Sequence, residues 1–350
     1  MQFNWADRLR GFATLMMITV HVSGPISEHF KPYDTFWWWT SNVWDSICRP
    51  SVPLFVMLSG WLLFQKKYEI GSFFKKRFTR VVVPGIVWGV IYLVFTNFWE
   101  GKPATFREAG LMLLEGPTHY HLWFIYLIIG LYAAYPFISP WVRTANEQEF
   151  RFFFGIAVFS VFFYKILDEL VGIKMGFYLD FFSNQLIYFI GGYYFGEKQL
   201  LCPPALNQNI ANWGFGKQKM LVLSSALIVL GTSVTALGTY FMGRETGVFH
   251  PYFYDYLTPH VAISAVGWFL LFRHFLNEKP VTLLEADFAQ ASYGVYLCHV
   301  LTLYVLNYDL IFHSRYHPFI DIPLTVFLCA IESFVFIYFI QKTPLGKWLA

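Results

Sequence analysis

Arg10 and His21 stand eleven residues apart in the first apolar stretch of this chain. On an α-helix eleven residues complete three turns with about 20° to spare, so both side chains share one face, roughly 16 Å apart along the axis. Asp7, Thr14 and Met17 lie on the same stripe, at steps of three and four residues. An ionisable group inside an apolar run is costly unless it lines a wet cavity or meets a partner. A neutral imidazole, with an ordinary pKa of about 6.5, is a ready general base. The plainer account makes Arg10 a flanking cation and His21 an interhelical hydrogen-bonding group. The shared face and the apolar surroundings favour the chemical one.

Lys75-Lys76-Arg77-Phe78-Thr79-Arg80 forms a second cluster, four residues ahead of Pro84. Arg77 and Arg80, at i and i+3, are expected to face one polyanion together, with Lys76 beside them, because planar guanidinium forks suit phosphate. Anchoring to anionic lipid headgroups explains the lysines equally well and the paired arginines less well.

His119-Tyr120-His121-Leu122-Trp123-Phe124 forms a third. Two histidines at i and i+2 of a helix point in different directions, so no metal site is expected. The reading is an interfacial aromatic group in which His121, beside Trp123, binds an acceptor. Arg49, ahead of Pro50 and Pro53, is expected to snorkel. Ser59-Gly60 reads as small residues for close packing, and His299 and Glu332 as structural hydrogen-bonding groups. Arg49, Ser59 and His299 are also carried as candidates for the acceptor side.

The chain that must position these groups has 350 residues, 56% hydrophobic and 13% charged, about half the charge of a soluble protein. That balance excludes a nucleic-acid binder, a disulfide scaffold and a disordered tail. Cys48, Cys202, Cys298 and Cys329 are scattered without CxxC spacing, so neither a disulfide nor a metal is expected. Ten apolar runs are long enough for a hydrocarbon core of about 30 Å: 5–24, 43–64, 78–98, 121–142, 151–168, 178–197, 219–241, 259–276, 289–311 and 319–341. Asp168, Glu169 and Asp180 interrupt the fifth and sixth. Their lengths suit helices better than the short alternating strands of a membrane barrel. The first run, flanked by Asp7, Arg8 and Arg10 without a small-residue cleavage site, reads as a retained span rather than a signal peptide.

The expected fold is therefore all-α, a polytopic membrane helical bundle of about ten transmembrane helices, with residues 1–350 as a single domain. Ten crossings put both termini on one side. Assigning that side to the cytoplasm places there 17 of the 25 Lys and Arg, leaving Lys31, Arg49, Lys102, Arg107, Lys165, Lys174, Arg244 and Arg315 outside with 13 acids. The positive-inside rule then gives N-in and C-in. The segments 25–42, 99–120 and 242–258 are expected outside, carrying Trp37, Trp38, Trp39, Tyr120, Tyr252 and Tyr254. No tandem or inverted repeat is visible, which disfavours transporter architectures built from duplicated halves.

Taken in order, the motifs resemble the acyltransferase-3 family of bacterial membrane proteins. They are Arg10-x10-His21, Ser51-Val52-Pro53-Leu54-Phe55 with Ser59-Gly60-Trp61-Leu62, Arg77-x-x-Arg80 with Pro84, His121-Leu122-Trp123-Phe124 and Ser292-Tyr293-Gly294-Val295-Tyr296-Leu297-x-His299. Each alone is weak, and the ordered set is specific. The resemblance implies a multi-pass acyltransferase of the bacterial inner membrane. It would move an acyl group, most often acetyl, from acyl-CoA to a hydroxyl of a surface or lipid-linked glycan, with no tightly bound cofactor. It also implies an essential Arg10-x10-His21 pair, with His21 in acyl transfer, and a donor-side role for Arg77 and Arg80. Some members append an outer hydrolase-like domain. This sequence closes at Ala350 without one, so transfer is expected within the membrane domain or with a separate partner. The rival readings are a transporter or flippase for an anionic or lipid-linked substrate, using the same Arg and His to bind, and a scaffold subunit of an envelope assembly.

Overall fold

The computed structural model describes residues 3–29, 35–101, 105–173, 176, 179, 182, 184–197, 213–276, 280–306 and 317–350. Lys31, Lys102, Lys174, Lys198, Lys279, Arg315, Asp180, Cys202 and the rest of residues 198–212 lie outside the described residues, as do the side chains of Lys165 and Glu169.

The described residues contain helices and no strand. In chain order these are α1 (Asn4–His29), α2 (Phe36–Cys48), α3 (Ser51–Phe64), α4 (Ile70–Arg77), α5 (Val83–Glu100), α6 (Phe106–Glu115), α7 (Trp123–Thr144), α8 (Glu147–Val158), α9 (Tyr164–Ile166), α10 (Leu186–Glu197), α11 (Trp213–Thr246), α12 (Pro259–Phe275), α13 (Leu283–Leu306), α14 (Pro318–Gln341) and α15 (Gly346–Leu349). Wider π turns at Phe78–Val82, Phe159–Phe163 and Leu167–Val171 join α4 to α5 and extend α8 and α9.

Among the described residues, five helical stretches are long and apolar enough to cross a membrane: Phe36–Phe64, Ile70–Phe98, Tyr120–Thr144, Gly216–Thr246 and Pro318–Gln341. The other expected runs also carry helix. α1 is punctuated by Asp7, Arg8, Arg10, His21 and Glu28, and α13 opens with Glu285 and Asp287, while α10 has 12 residues and α12 has 17. The chain is an all-α membrane protein.

Several boundaries differ from the sequence reading: α1 runs on to His29, α6 occupies part of the expected outer segment 99–120, and α11 extends from Trp213 to Thr246. Trp37, Trp38 and Trp39, expected in a loop, lie in α2, where the Thr35 hydroxyl accepts from the Trp38 amide at 3.2 Å and caps the helix. The expected run 43–64 is broken at Arg49–Pro50, because Pro50 cannot continue the α2 ladder.

The chain divides into two compact units. Unit 1 comprises Met1–Gln65, Val142–Ala289 and Ser314–Val326. Its core gathers Trp5, Trp38, Trp61, Phe64, Phe189 and Phe269, all fully buried. Trp5 lies 4.5 Å from Trp61 and 5.3 Å from Phe269, ring centre to ring centre, tying α1 to α3 and α12. α3 and α10 cross at backbone contact. A Cβ on Gly60 would overlap the Phe189 carbonyl, and one on Gly192 the Met57 carbonyl. Ser59-Gly60 is therefore a packing notch, as read from the sequence.

Unit 2 comprises Lys66–Trp141, Gln290–His313 and Phe327–Ala350. The Tyr92 hydroxyl on α5 donates to the Leu297 carbonyl of α13 at 2.9 Å, and Trp88 Nε1 donates to the Leu349 carbonyl at 2.9 Å. Phe73 stacks on Tyr135 at 4.7 Å, packing α4 against α7.

Candidate functional site

In unit 1, α1 is one helix from Asn4 to His29, so Arg10 and His21 do share a face. Thr14 and Met17 between them are buried, while Arg10 and His21 are each half-buried. Arg10 is held by Asp7 at 3.3 Å, and the Thr14 hydroxyl donates to the Arg10 carbonyl at 2.8 Å. Pro25, four residues beyond His21, lacks the amide that would bond the His21 carbonyl. Arg8 points elsewhere: it donates to Glu285 at 3.0 Å and to the Leu276 carbonyl at 2.7 Å, a cation at the C-terminal end of α12.

The α1 stripe runs one step further than its sequence motif. Glu28 lies seven residues beyond His21, on the same face, and meets Arg49 at 3.7 Å. Arg49 does not snorkel. It is buried at the end of α2, paired with the fully buried Asp45, 3.3 Å from the Tyr254 carbonyl and 4.0 Å above the Tyr254 ring. Asp45 also accepts from Ser23 at 3.0 Å, and Tyr254 donates to Asn42 at 2.7 Å. Partners drawn from α1, α2 and the 251–254 turn offset the desolvation of the charges, which is why burial wins over snorkelling. Ser59, half-buried on α3, sits beside the Gly60 crossing.

In unit 2, Lys76, Arg77 and Arg80 line one segment, but the two arginines do not present one flat face. Arg77 is half-buried, its guanidinium 5.1 Å from the Tyr132 ring and 5.5 Å from Phe73, whereas Lys76 and Arg80 are exposed. The intervening π turn alters the angular step between them. Pro84, which has no amide and whose ring crowds the carbonyl four residues back, follows just after the turn.

His119 and His121 also differ from expectation. His119 is extended (φ −144°, ψ 146°) ahead of a tight 3₁₀ turn at Tyr120–Leu122, not helical. The two rings therefore converge, with Nδ1 atoms 3.0 Å apart in a hydrogen bond. His299, fully buried on α13, brings its ring centre to 5.2 Å from that of His121 and donates from Nδ1 to the Tyr296 carbonyl at 2.7 Å. Tyr296 donates to the His121 carbonyl at 2.7 Å, and Tyr92 packs 4.7 Å from both His119 and His121. Trp123, half-buried, begins α7 directly after this turn. The structure thus brings His121 and His299 together, and adds Tyr92, which no sequence motif marked. Glu332, read from the sequence as a structural hydrogen-bonding group, is exposed on α14.

The described residues thus hold a stripe of Arg and His on α1, a basic segment carrying a π turn ahead of Pro84, and a buried histidine cluster. The chain matches the family model described as acyltransferase domain, acyltransferase-3, over residues 3–341. It belongs to that family and is a membrane acyltransferase. No curated protein and no solved structure matches the chain.

Proposed function

We propose that the whole chain, as one acyltransferase domain, moves an acyl group, acetyl in the simplest case, from cytoplasmic acyl-CoA to a hydroxyl of a cell-surface or lipid-linked glycan at the bacterial inner membrane. Acyl-CoA is a consumed substrate in this reading, not a resident cofactor. Arg77, Arg80 and Lys76 neutralise its phosphates, and Arg10 acts with His21 on α1. His21 takes the proton of the acceptor hydroxyl as its oxygen attacks the thioester carbonyl, the carbon–sulfur bond breaks, and the CoA thiolate leaves to be protonated. In the variant route His21 first displaces the thiolate, carries the acyl group, and passes it to the hydroxyl. His121, Trp123 and His299 are assigned to the acceptor side, while Arg49 and Ser59 are given the structural tasks described above. The motifs also resemble those of the O-acetyltransferase that modifies enterobacterial common antigen, which makes an envelope glycan the favoured acceptor.

The observation that carries this reading is the unbroken α1 helix, which sets Arg10 and His21 on one face in a chain of acyltransferase family. The test is the purified protein in detergent with acetyl-CoA and envelope glycan. Release of free CoA thiol, with label from the acetyl group recovered on the glycan, is the expected result. Stabilisation by glycan together with indifference to acetyl-CoA would favour transport instead.

A further inference from the structure

The motif Ser292-Tyr293-Gly294 has so far been given no task, although its tyrosine reaches the basic segment of unit 2. The Tyr293 hydroxyl donates to the Val81 carbonyl at 2.7 Å. Val81 lies in the π turn Phe78–Val82, in which the Val83 amide bonds back to the Phe78 carbonyl, five residues earlier. A single π turn inside a helix is a locally costly geometry and recurs at functional sites. Here Pro84, which offers no amide to the ladder, follows just after the turn, and Tyr293 supplies a fixed donor to a carbonyl within it.

The turn lies between the two arginines and changes the angular step from one to the other. On a regular helix Arg77 and Arg80 would be neighbours on one face. In the structure Arg77 turns against Tyr132 and Phe73 while Arg80 stands exposed. Arg77 Nε is, moreover, buried without a hydrogen-bond partner among the described residues, and a buried donor calls for one.

We propose that Tyr293 is a positioning residue for the acyl donor. Its hydroxyl locks the π turn, and the locked turn holds Arg77 and Arg80 splayed so that they take different oxygens of the CoA phosphates. This rests on the assignment of the donor to Arg77 and Arg80 made above, and adds the device that sets their geometry.

The test uses the full chain in detergent, with CoA binding by calorimetry and acetyl-CoA kinetics in parallel. Tyr293→Phe keeps the ring and removes the hydroxyl. It should weaken CoA binding and raise the acetyl-CoA KM by about five- to tenfold, with kcat at saturating donor within about twofold. A merely structural tyrosine would lower unfolding temperature and leave KM alone. Pro84→Ala, which restores an amide to the ladder beside the turn, should shift KM in the same direction. Combined with Tyr293→Phe it should add little, because both act on one turn. Should Tyr293→Phe not fold, Pro84→Ala carries the same KM readout. Arg77→Ala is the reference. If it loses CoA while Tyr293→Phe and Pro84→Ala bind normally, the positioning role is overturned and the donor site stands. If Arg77→Ala also binds CoA normally, the donor assignment falls, and the role of Tyr293 with it.

Discussion

Asp45 and Arg49 stand one helical turn apart at the end of α2, paired with each other and withdrawn from the surroundings, with Glu28 3.7 Å from the guanidinium on its other side. Such a pair is conditional: each charge is tolerated because the other is there. Removing one leaves an uncompensated buried ion at a cost of about 3–5 kcal/mol, whereas replacing both with apolar groups of similar volume is often neutral. Arg49→Ala should therefore abolish or sharply lower the thermal transition in detergent, and Asp45→Leu with Arg49→Met should recover most of it. An Arg49→Ala protein that unfolds normally but no longer acylates would make Arg49 an acceptor-binding group.

The crossing of α3 and α10 tolerates no added carbon. Gly60→Ala and Gly192→Ala each place a Cβ into a facing carbonyl, Phe189 and Met57 respectively, so both should force the helices apart. Loss of monodisperse protein on size exclusion is the expected outcome for either variant. Gly130→Ala, whose Cβ meets nothing within 4 Å, should behave as the parent.

What the sequence made legible follows from what each inference needed. The ten apolar runs all carry helix because apolar length and helical periodicity are properties of the segment itself. The α1 stripe was readable for the same reason, and it could have been extended to Glu28 by one more step of seven. Arg49 was misread although Asp45 stands at i−4, a pairing a local rule spans; what buries the pair comes from α1 and the 251–254 turn, far off in sequence. The convergence of His119 and His121 escaped because an i, i+2 argument presumes a helix, whereas His119 is extended. The π turn was half legible: Pro84 announces a disturbed ladder, but the form of the disturbance depends on neighbours such as Tyr293.

Glu285, which precedes the apolar part of α13, is a pH-dependent fastening for α1. Hydrogen bonds from Arg8 and then from the Thr282 amide hold its carboxyl down to about 2, from an ordinary 4.5. A depressed carboxylate stabilises the fold above its unfolded pKa and is lost as pH falls through the folded one. The difference in unfolding temperature between the parent and Glu285→Gln should be flat from pH 7 to about 5 and close progressively below about 4.5. The pair is partly exposed, so the difference should be small and shrink in salt. A difference that changes between pH 6 and 8 would implicate another group.

The orientation is testable independently of the chemistry. The ten-crossing reading of the sequence puts 17 of 25 basic residues on one side, and on that reading both ends and the segment at Lys66–Lys67 should face the cytoplasm. Single cysteines near residues 67 and 348 should resist a membrane-impermeant reagent in intact cells and react after permeabilisation. Labelling of the C-terminal position in intact cells would break the ten-crossing assignment as well as the orientation.

The central claim is that His21 does chemistry, and the substitution that isolates it is His21→Gln, which keeps hydrogen-bonding capacity and removes basicity and nucleophilicity. The decisive measurement is the rate of acyl transfer from labelled acetyl-CoA to envelope glycan by purified His21→Gln, alongside its CoA affinity. The account predicts transfer lowered by about 100-fold or more, with CoA affinity and unfolding temperature near those of the parent. Transfer at close to the parental rate would make His21 an interhelical hydrogen-bonding group and move the search for the base to the histidine cluster of unit 2.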